Sequence, residues 1–180
     1  GAQAGDQVVV SRPFVPHDYQ RDMIDFVRRN QRGGLWAGMG TGKCVATMTG
    51  LLDLDLFEPV FPALVLAPLR VANSTWSDDA VKWSHTEHLR VVPIAQRSNP
   101  LVSATASERK ARLSVPGDIY TLPYGSLSWL VDTLGGDWPF KTVIGDEVSR
   151  LQSFRIRQGG KHAAALGKVA HTKVDRFIGL

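Results

Sequence analysis

The chain has 180 residues, 43% hydrophobic and 21% charged, with a formal net charge of +4. That composition builds a proper core and excludes wholesale disorder, and no apolar run approaches the ~20 residues of a membrane-spanning helix. A single cysteine, Cys44, excludes an intrachain disulfide and a cysteine-cluster metal site.

In chain order, residues 1–15 open on GAQAGD, which lacks the basic and apolar regions of a secretory signal, and are expected to form a flexible arm. Residues 16–180 are expected to form one domain. A helix is predicted over Asp18–Arg29, with Tyr19, Met23, Ile24 and Val27 at helical spacing. Short apolar runs then recur at Gly34–Ala37, Ala63–Ala67, Val91–Ile94, Asp118–Leu122, Thr142–Gly145 and Phe177–Leu180. Several are too continuous for strands with one wet face and read as strands buried on both sides of a parallel sheet. Helical patterns lie between them at Val45–Leu54, Ala72–Trp83, Ser107–Leu113, Leu127–Leu134 and Lys161–Ala170. The alternation implies an α/β fold, a mostly parallel sheet sandwiched between helices. Trp76 and Trp83, seven apart on one helical face, read as core.

The strongest chemical signal is Ala37-Gly38-Met39-Gly40-Thr41-Gly42-Lys43-Cys44, set between an apolar run and an apolar helix. Glycines let the backbone wrap closely so that successive N–H groups face phosphate oxygens. The helix adds its positive N-terminal end, and Lys43 reaches the terminal phosphates. A glycine-rich turn capping a helix is the plainer alternative. Ala37 replaces the first glycine of the general pattern, and Cys44 replaces the Ser or Thr whose hydroxyl holds magnesium. Soft sulfur suits magnesium poorly, so Cys44 is either a tolerated isostere in the metal shell or a mark of a weakened site. Its place at a helix N-terminus favours the thiolate.

A second signal is Thr142-Val143-Ile144-Gly145-Asp146-Glu147, an apolar strand delivering two acids at its end. Ligands gather at such strand ends in parallel sheets. Asp146 suits a magnesium contact, and Glu147 suits polarising the water that attacks a γ-phosphate. Together with the glycine loop, the pair points to a P-loop ATPase using ATP and Mg2+. From Arg150 to Val174 the chain carries Arg150, Arg155, Arg157, Lys161, Lys168 and Lys173 with no acid, which is either a solvated basic helix or a phosphate-neutralising footprint.

These motifs, in this order, resemble those of superfamily-two helicases and translocases, in particular the Swi/Snf-like branch found in bacteriophages. Ala37–Lys43 is similar to that family's first motif, where Ala in the first position is usual, and Asp146-Glu147-Val148-Ser149-Arg150-Leu151 to its second in phage form. The resemblance implies the first RecA-like ATPase domain of a motor, with a second RecA-like domain in the parent protein. Pro16-His17-Asp18-Tyr19-Gln20 resembles the adenine-recognising motif, which implies that Gln20 reads the adenine edge. Gly38, Met39, Gly40, Thr41, Gly42, Lys43 and Cys44 are then the other ATP-binding positions. Ala67-Pro68-Leu69-Arg70 and Tyr124-Gly125-Ser126-Leu127 resemble nucleic-acid-contacting motifs, which implies that Arg70 and Ser126 meet DNA, with Arg150 beside them. Arg176–Leu180 falls where the family's third motif would come next, so the chain is expected to be part of a longer protein. The resemblance also implies residence in the cytoplasm of a bacterium or phage-infected host, with no membrane partner. Two rival readings remain: a nucleic-acid-binding or interaction module that keeps the fold without turnover, and a small P-loop kinase.

Overall fold

The computed structural model describes residues 10–38, 40–97, 104–147, 164, 167, 169 and 172–180. Six strands, β1 (Arg32–Gly34), β2 (Ala63–Ala67), β3 (Val91–Pro93), β4 (Ile119–Pro123), β5 (Thr142–Gly145) and β6 (Arg176–Gly179), make one sheet in the order β1-β6-β5-β2-β4-β3. Every pairing in it is parallel. All residues of β2, β4 and β5 are buried, as continuous apolar strands with both faces covered must be.

The side-chain period of two divides those strands between two cores. Val65 and Ile144, register partners, face one core with Met48, Leu51 and Trp76. Leu64 and Val143, also partners, face the other with Leu122, Leu130 and Phe140. The first core is covered by α2 (Lys43–Asp55) and α3 (Trp76–Lys82), and the second by α5 (Leu127–Leu134). Helix α4 (Ala106–Leu113) opens with a full capping box, Thr105 accepting from the Glu108 N–H and Glu108 accepting from the Thr105 N–H.

Helix α1 (Asp18–Arg29) buries Gln20, Met23, Ile24 and Val27. The expected face included Tyr19, but Tyr19 is 47% exposed and stacks on His17, and the buried position belongs to Gln20. The first strand also lies earlier than the apolar run Gly34–Ala37 implied. It spans Arg32–Gly34, and Trp36 beyond it is 86% exposed. The helix expected over Ala72–Trp83 is α3 preceded by a π-helical turn, Val71–Thr75. Neighbouring side chains take the carbonyls of that turn: Thr121 Oγ1 donates to Ala72 O and Gln96 Nε2 to Asn73 O. Such insertion into the helical ladder widens it locally. The helix expected over 161–170 lies outside the described residues except for positions 164, 167 and 169.

The described end of the expected arm is docked rather than loose. Arg12 exchanges backbone hydrogen bonds with Lys82 and Ser84 and lies over the Trp83 ring, and Phe14 meets the same ring edge-on. Trp76 is fully buried, whereas Trp83 is partly exposed at the end of α3. At the other end of the chain, Arg176 is 5% exposed and donates to Val27 O and Asn30 O, and its other terminal nitrogen pairs with Glu58 at 2.7 Å.

Candidate nucleotide and nucleic-acid site

The sheet order puts the chemistry along its C-terminal edge. The glycine loop leaves β1, the acid pair leaves β5, and the Arg70 and Ser126 segments leave β2 and β4 on the far side of β5. Open parallel sheets bind ligands at this edge.

The loop runs into α2, whose N-cap is Gly42. Gly40 and Gly42 have φ of 77° and 76°, left-handed values that disfavour any residue with a Cβ. A Cβ at Gly42 would also sit 2.5 Å from Gln20 Nε2. The same nitrogen donates to Thr41 O at 3.1 Å, while Gln20 Oε1 accepts from the His17 N–H at 2.9 Å. Gln20 thus ties the start of α1 to the loop, and its amide keeps one N–H and one lone pair for a ligand. Thr41 Oγ1 donates back to Gly38 O at 2.8 Å, closing the turn. Met39 lies outside the described residues.

Asp146 is 4% exposed and held at three points. Its N–H donates to Leu66 O at 2.7 Å, its carbonyl accepts from the Tyr124 hydroxyl at 2.7 Å, and its Oδ2 accepts from Trp76 Nε1 at 3.0 Å. Burial pushes its carboxyl up from the usual carboxylate range, and the charge of Glu147 adds to this. The Trp76 hydrogen bond and the Lys43 charge oppose both. Burial, next to the same two acids, likewise pushes the Tyr124 hydroxyl up. Glu147 follows with φ 55°, the one non-glycine residue at positive φ among the described residues. Backbone of this kind costs about 1–3 kcal/mol and clusters at functional sites.

Cys44 departs from the expectation drawn from its helix position. It is 8% exposed, and burial pushes its thiol up, reinforced by the charges of Asp146 and Asp79 against the opposing charge of Lys43. Desolvation and two acids outweigh one lysine and the helix end, so the group is a thiol. A neutral thiol is a poor magnesium ligand. Among the described residues no three His, Cys, Asp or Glu side chains converge closely enough to hold a metal alone. The arrangement fits the way magnesium is usually held beside nucleotides, by one or two carboxylates, phosphate oxygens and water. Asp146, with Oδ2 fixed by Trp76, would supply such a carboxylate.

Arg70 is exposed where β2 gives way to the π-helical turn, and its carbonyl accepts from Ser74 Oγ. Ser126 is the N-cap of α5, and its Oγ accepts from Arg109 Nη1 at 3.3 Å. Arg150 and most of the basic stretch lie outside the described residues. The sequence marks Trp76 as core and Tyr124 only as part of a nucleic-acid-contacting motif; the clue to their hold on Asp146 was that a buried indole and a buried phenol each need a hydrogen-bond partner. No described helix is long and apolar enough to cross a membrane.

No protein-family model matches the chain. Protein p41 of Acyrthosiphon pisum secondary endosymbiont phage 1 is 45% identical over 170 residues, which is 94% of this chain and 35% of that protein. The chain therefore spans about a third of that relative's length. Among solved structures, the Sulfolobus solfataricus SWI2/SNF2 ATPase core in complex with dsDNA superposes with a TM-score of 0.65 at 19% identity, over 96% of this chain and 33% of that one. The UvsW protein of T4 gives a TM-score of 0.62 at 14% identity, over 96% of this chain and 31% of that one. The RNA helicase Prp28 from Chaetomium thermophilum bound to ADP gives 0.60 at 22% identity, over 92% and 39%. The chain shares the RecA-like fold of these structures, an all-parallel sheet between helices.

Proposed function

We propose that the chain is the ATP-binding first motor domain of a DNA helicase or translocase, coupling ATP hydrolysis to movement on nucleic acid together with a second RecA-like domain. The observation that carries this reading is the buried Asp146 carboxylate, pinned by Trp76 and within the field of Lys43, on the same sheet edge as a loop built on two left-handed glycines. Gly38, Met39, Gly40, Thr41, Gly42 and Lys43 hold the phosphates, and Gln20 turns its remaining amide hydrogen and lone pair to the adenine edge. Asp146 would hold Mg2+, which when bound would neutralise phosphate charge. Glu147 orients the attacking water and accepts its proton. Arg70, Ser126 and Arg150 take nucleic-acid phosphates. The phage relative supports a place in the cytoplasm of a phage-infected bacterium.

Isothermal calorimetry with ATP tests the assignment. Lys43→Ala loses most of the affinity while the far-ultraviolet circular dichroism stays unchanged; equal affinity in a folded variant removes the phosphate-loop reading. One observation favours the second reading, a nucleic-acid module without turnover: the buried thiol of Cys44 stands where a metal-holding hydroxyl is usual. Cys44→Thr raising ATPase from nothing to a measurable rate supports that alternative.

A further inference from the structure

Arg109, in the second turn of α4, has no part in the reading above. Its Nη1 donates to Ser126 Oγ at 3.3 Å, and its guanidinium carbon lies 4.7 Å from the centroid of the Trp129 ring on α5. Its Nε is enclosed without a hydrogen-bond partner among the described residues. The adjacent acid, Glu108, is engaged by Thr105 and by Arg97 at 3.1 Å, so no described carboxylate pairs with Arg109.

A guanidinium offers five donors in a rigid plane that matches phosphate oxygens and stacks on aromatic faces. Here the Trp129 face and the Ser126 hydroxyl fix that plane in advance, and neither neutralises its charge. Ser126 follows β4 at the C-terminal edge of the sheet. The register pairs Pro123 with Ala67, three residues before Arg70. Arg109 therefore extends the Arg70 and Ser126 row on the side of β5 away from the phosphate loop.

We propose that Arg109 and Ser126 form a preoriented seat for one nucleic-acid backbone phosphate, with Trp129 as the platform that holds the guanidinium. This rests on the nucleic-acid reading of the same edge. The seat positions the strand and reads no base, because phosphate contacts carry no sequence information.

The test is fluorescence anisotropy of the chain with a fluorescein-labelled DNA duplex, titrated between about 50 and 200 mM salt. Each phosphate contact contributes about 0.9 to the slope of log affinity against log salt. Arg109→Ala weakens binding and flattens that slope by about 0.9, whereas Lys141→Ala, the same charge change at the opposite sheet edge, leaves it unaltered. Arg109→Gln removes the charge but keeps a donor for Ser126, and it carries the test if the alanine variant unfolds. An affinity loss equal at every salt concentration means that Arg109 only packs α4 against α5 and overturns the inference. Equal flattening by Lys141→Ala also overturns it, as a general charge effect. A wild-type chain that binds no DNA sinks the nucleic-acid reading and the inference together, while normal wild-type binding with an unchanged Arg109→Ala slope sinks the inference alone.

Discussion

Trp76 Nε1 donates to Asp146 Oδ2 at 3.0 Å across 70 positions of chain, inside a site where both side chains are buried. The indole belongs to the helix that follows the β2 strand end, and the carboxylate to the turn that follows β5. One oxygen of the acid is thereby fixed.

Replacing Trp76 by Phe keeps most of the ring volume and deletes the donor. A buried carboxylate oxygen then loses its partner, at a cost of about 1–3 kcal/mol in unfolding free energy. Orienting groups behind a metal ligand typically change metal affinity by about 10–100-fold. The expected outcome for Trp76→Phe is a weakened magnesium dependence of ADP binding in calorimetry, with metal-free ADP affinity near wild type. Equal loss in both conditions would point to damaged packing.

Gly42→Ala imposes a Cβ on a backbone at φ 76° and drives it into Gln20 Nε2. The conformational part alone costs about 1–2 kcal/mol. The clash also breaks the Gln20 bridge to Thr41 O, so nucleotide affinity falls with stability. Gln20→Ala combined with Gly42→Ala should recover part of the stability and none of the affinity, as read by thermal melts and calorimetry.

Cys44 should resist iodoacetamide in the native chain even without nucleotide, because the reacting species is the thiolate and burial disfavours it. Labelling should become complete in denaturant. Rapid native labelling at neutral pH, followed by mass spectrometry, would contradict the buried-thiol assignment.

His85 gives a pH dependence. Thr49 Oγ1 donates its proton to Val45 O, so the contact of 2.8 Å with His85 Nε2 requires that nitrogen to be the donor. Phe14 stacks on the ring, and burial lowers the imidazole pKa, with the charge of Asp53 opposing and that of His88 reinforcing. The unfolded chain takes up a proton near pH 6.5 and the folded chain does so only at lower pH. Stability is therefore full above about 6.5 and falls as pH drops below it. The melting temperature should decline more steeply from about pH 7.5 to 5.5 in the wild type than in His85→Gln.

Much of the fold was legible because fully buried strands announce themselves: Ala63–Ala67 and Thr142–Gly145 are strands to the residue, and Asp18–Arg29 and Leu127–Leu134 helices likewise. The misreadings share a cause. Trp36 and Tyr19 are apolar by type but exposed, so hydrophobic patterning misassigned both, while the buried position beside Tyr19 belongs to the polar Gln20, held by two hydrogen bonds. The glycine loop and the acid pair were readable because their spacing is local. The hold on Asp146 was not, since Trp76 and Tyr124 arrive from other strand ends that only the parallel pairing brings alongside β5. Cys44 was read from its helix position, whereas burial, reinforced by the charges of Asp146 and Asp79, determines its state.

The placement of β6 governs the order in which the molecule is completed. It lies between β1 and β5, and its Arg176 donates to Val27 O, 149 positions upstream, and to Asn30 O. Until β6 inserts, β1 has no described neighbour in the sheet, and the end of α1 lacks the guanidinium that donates to Val27 O and Asn30 O. The segment that presents the glycine loop is thus synthesised early and secured late. Contacts of such sequence separation slow folding, because the intervening chain must close first. A ribosome-bound chain would therefore bind nucleotide only after Arg176–Gly179 had cleared the exit tunnel, with α2 and β2 through β5 already able to pack.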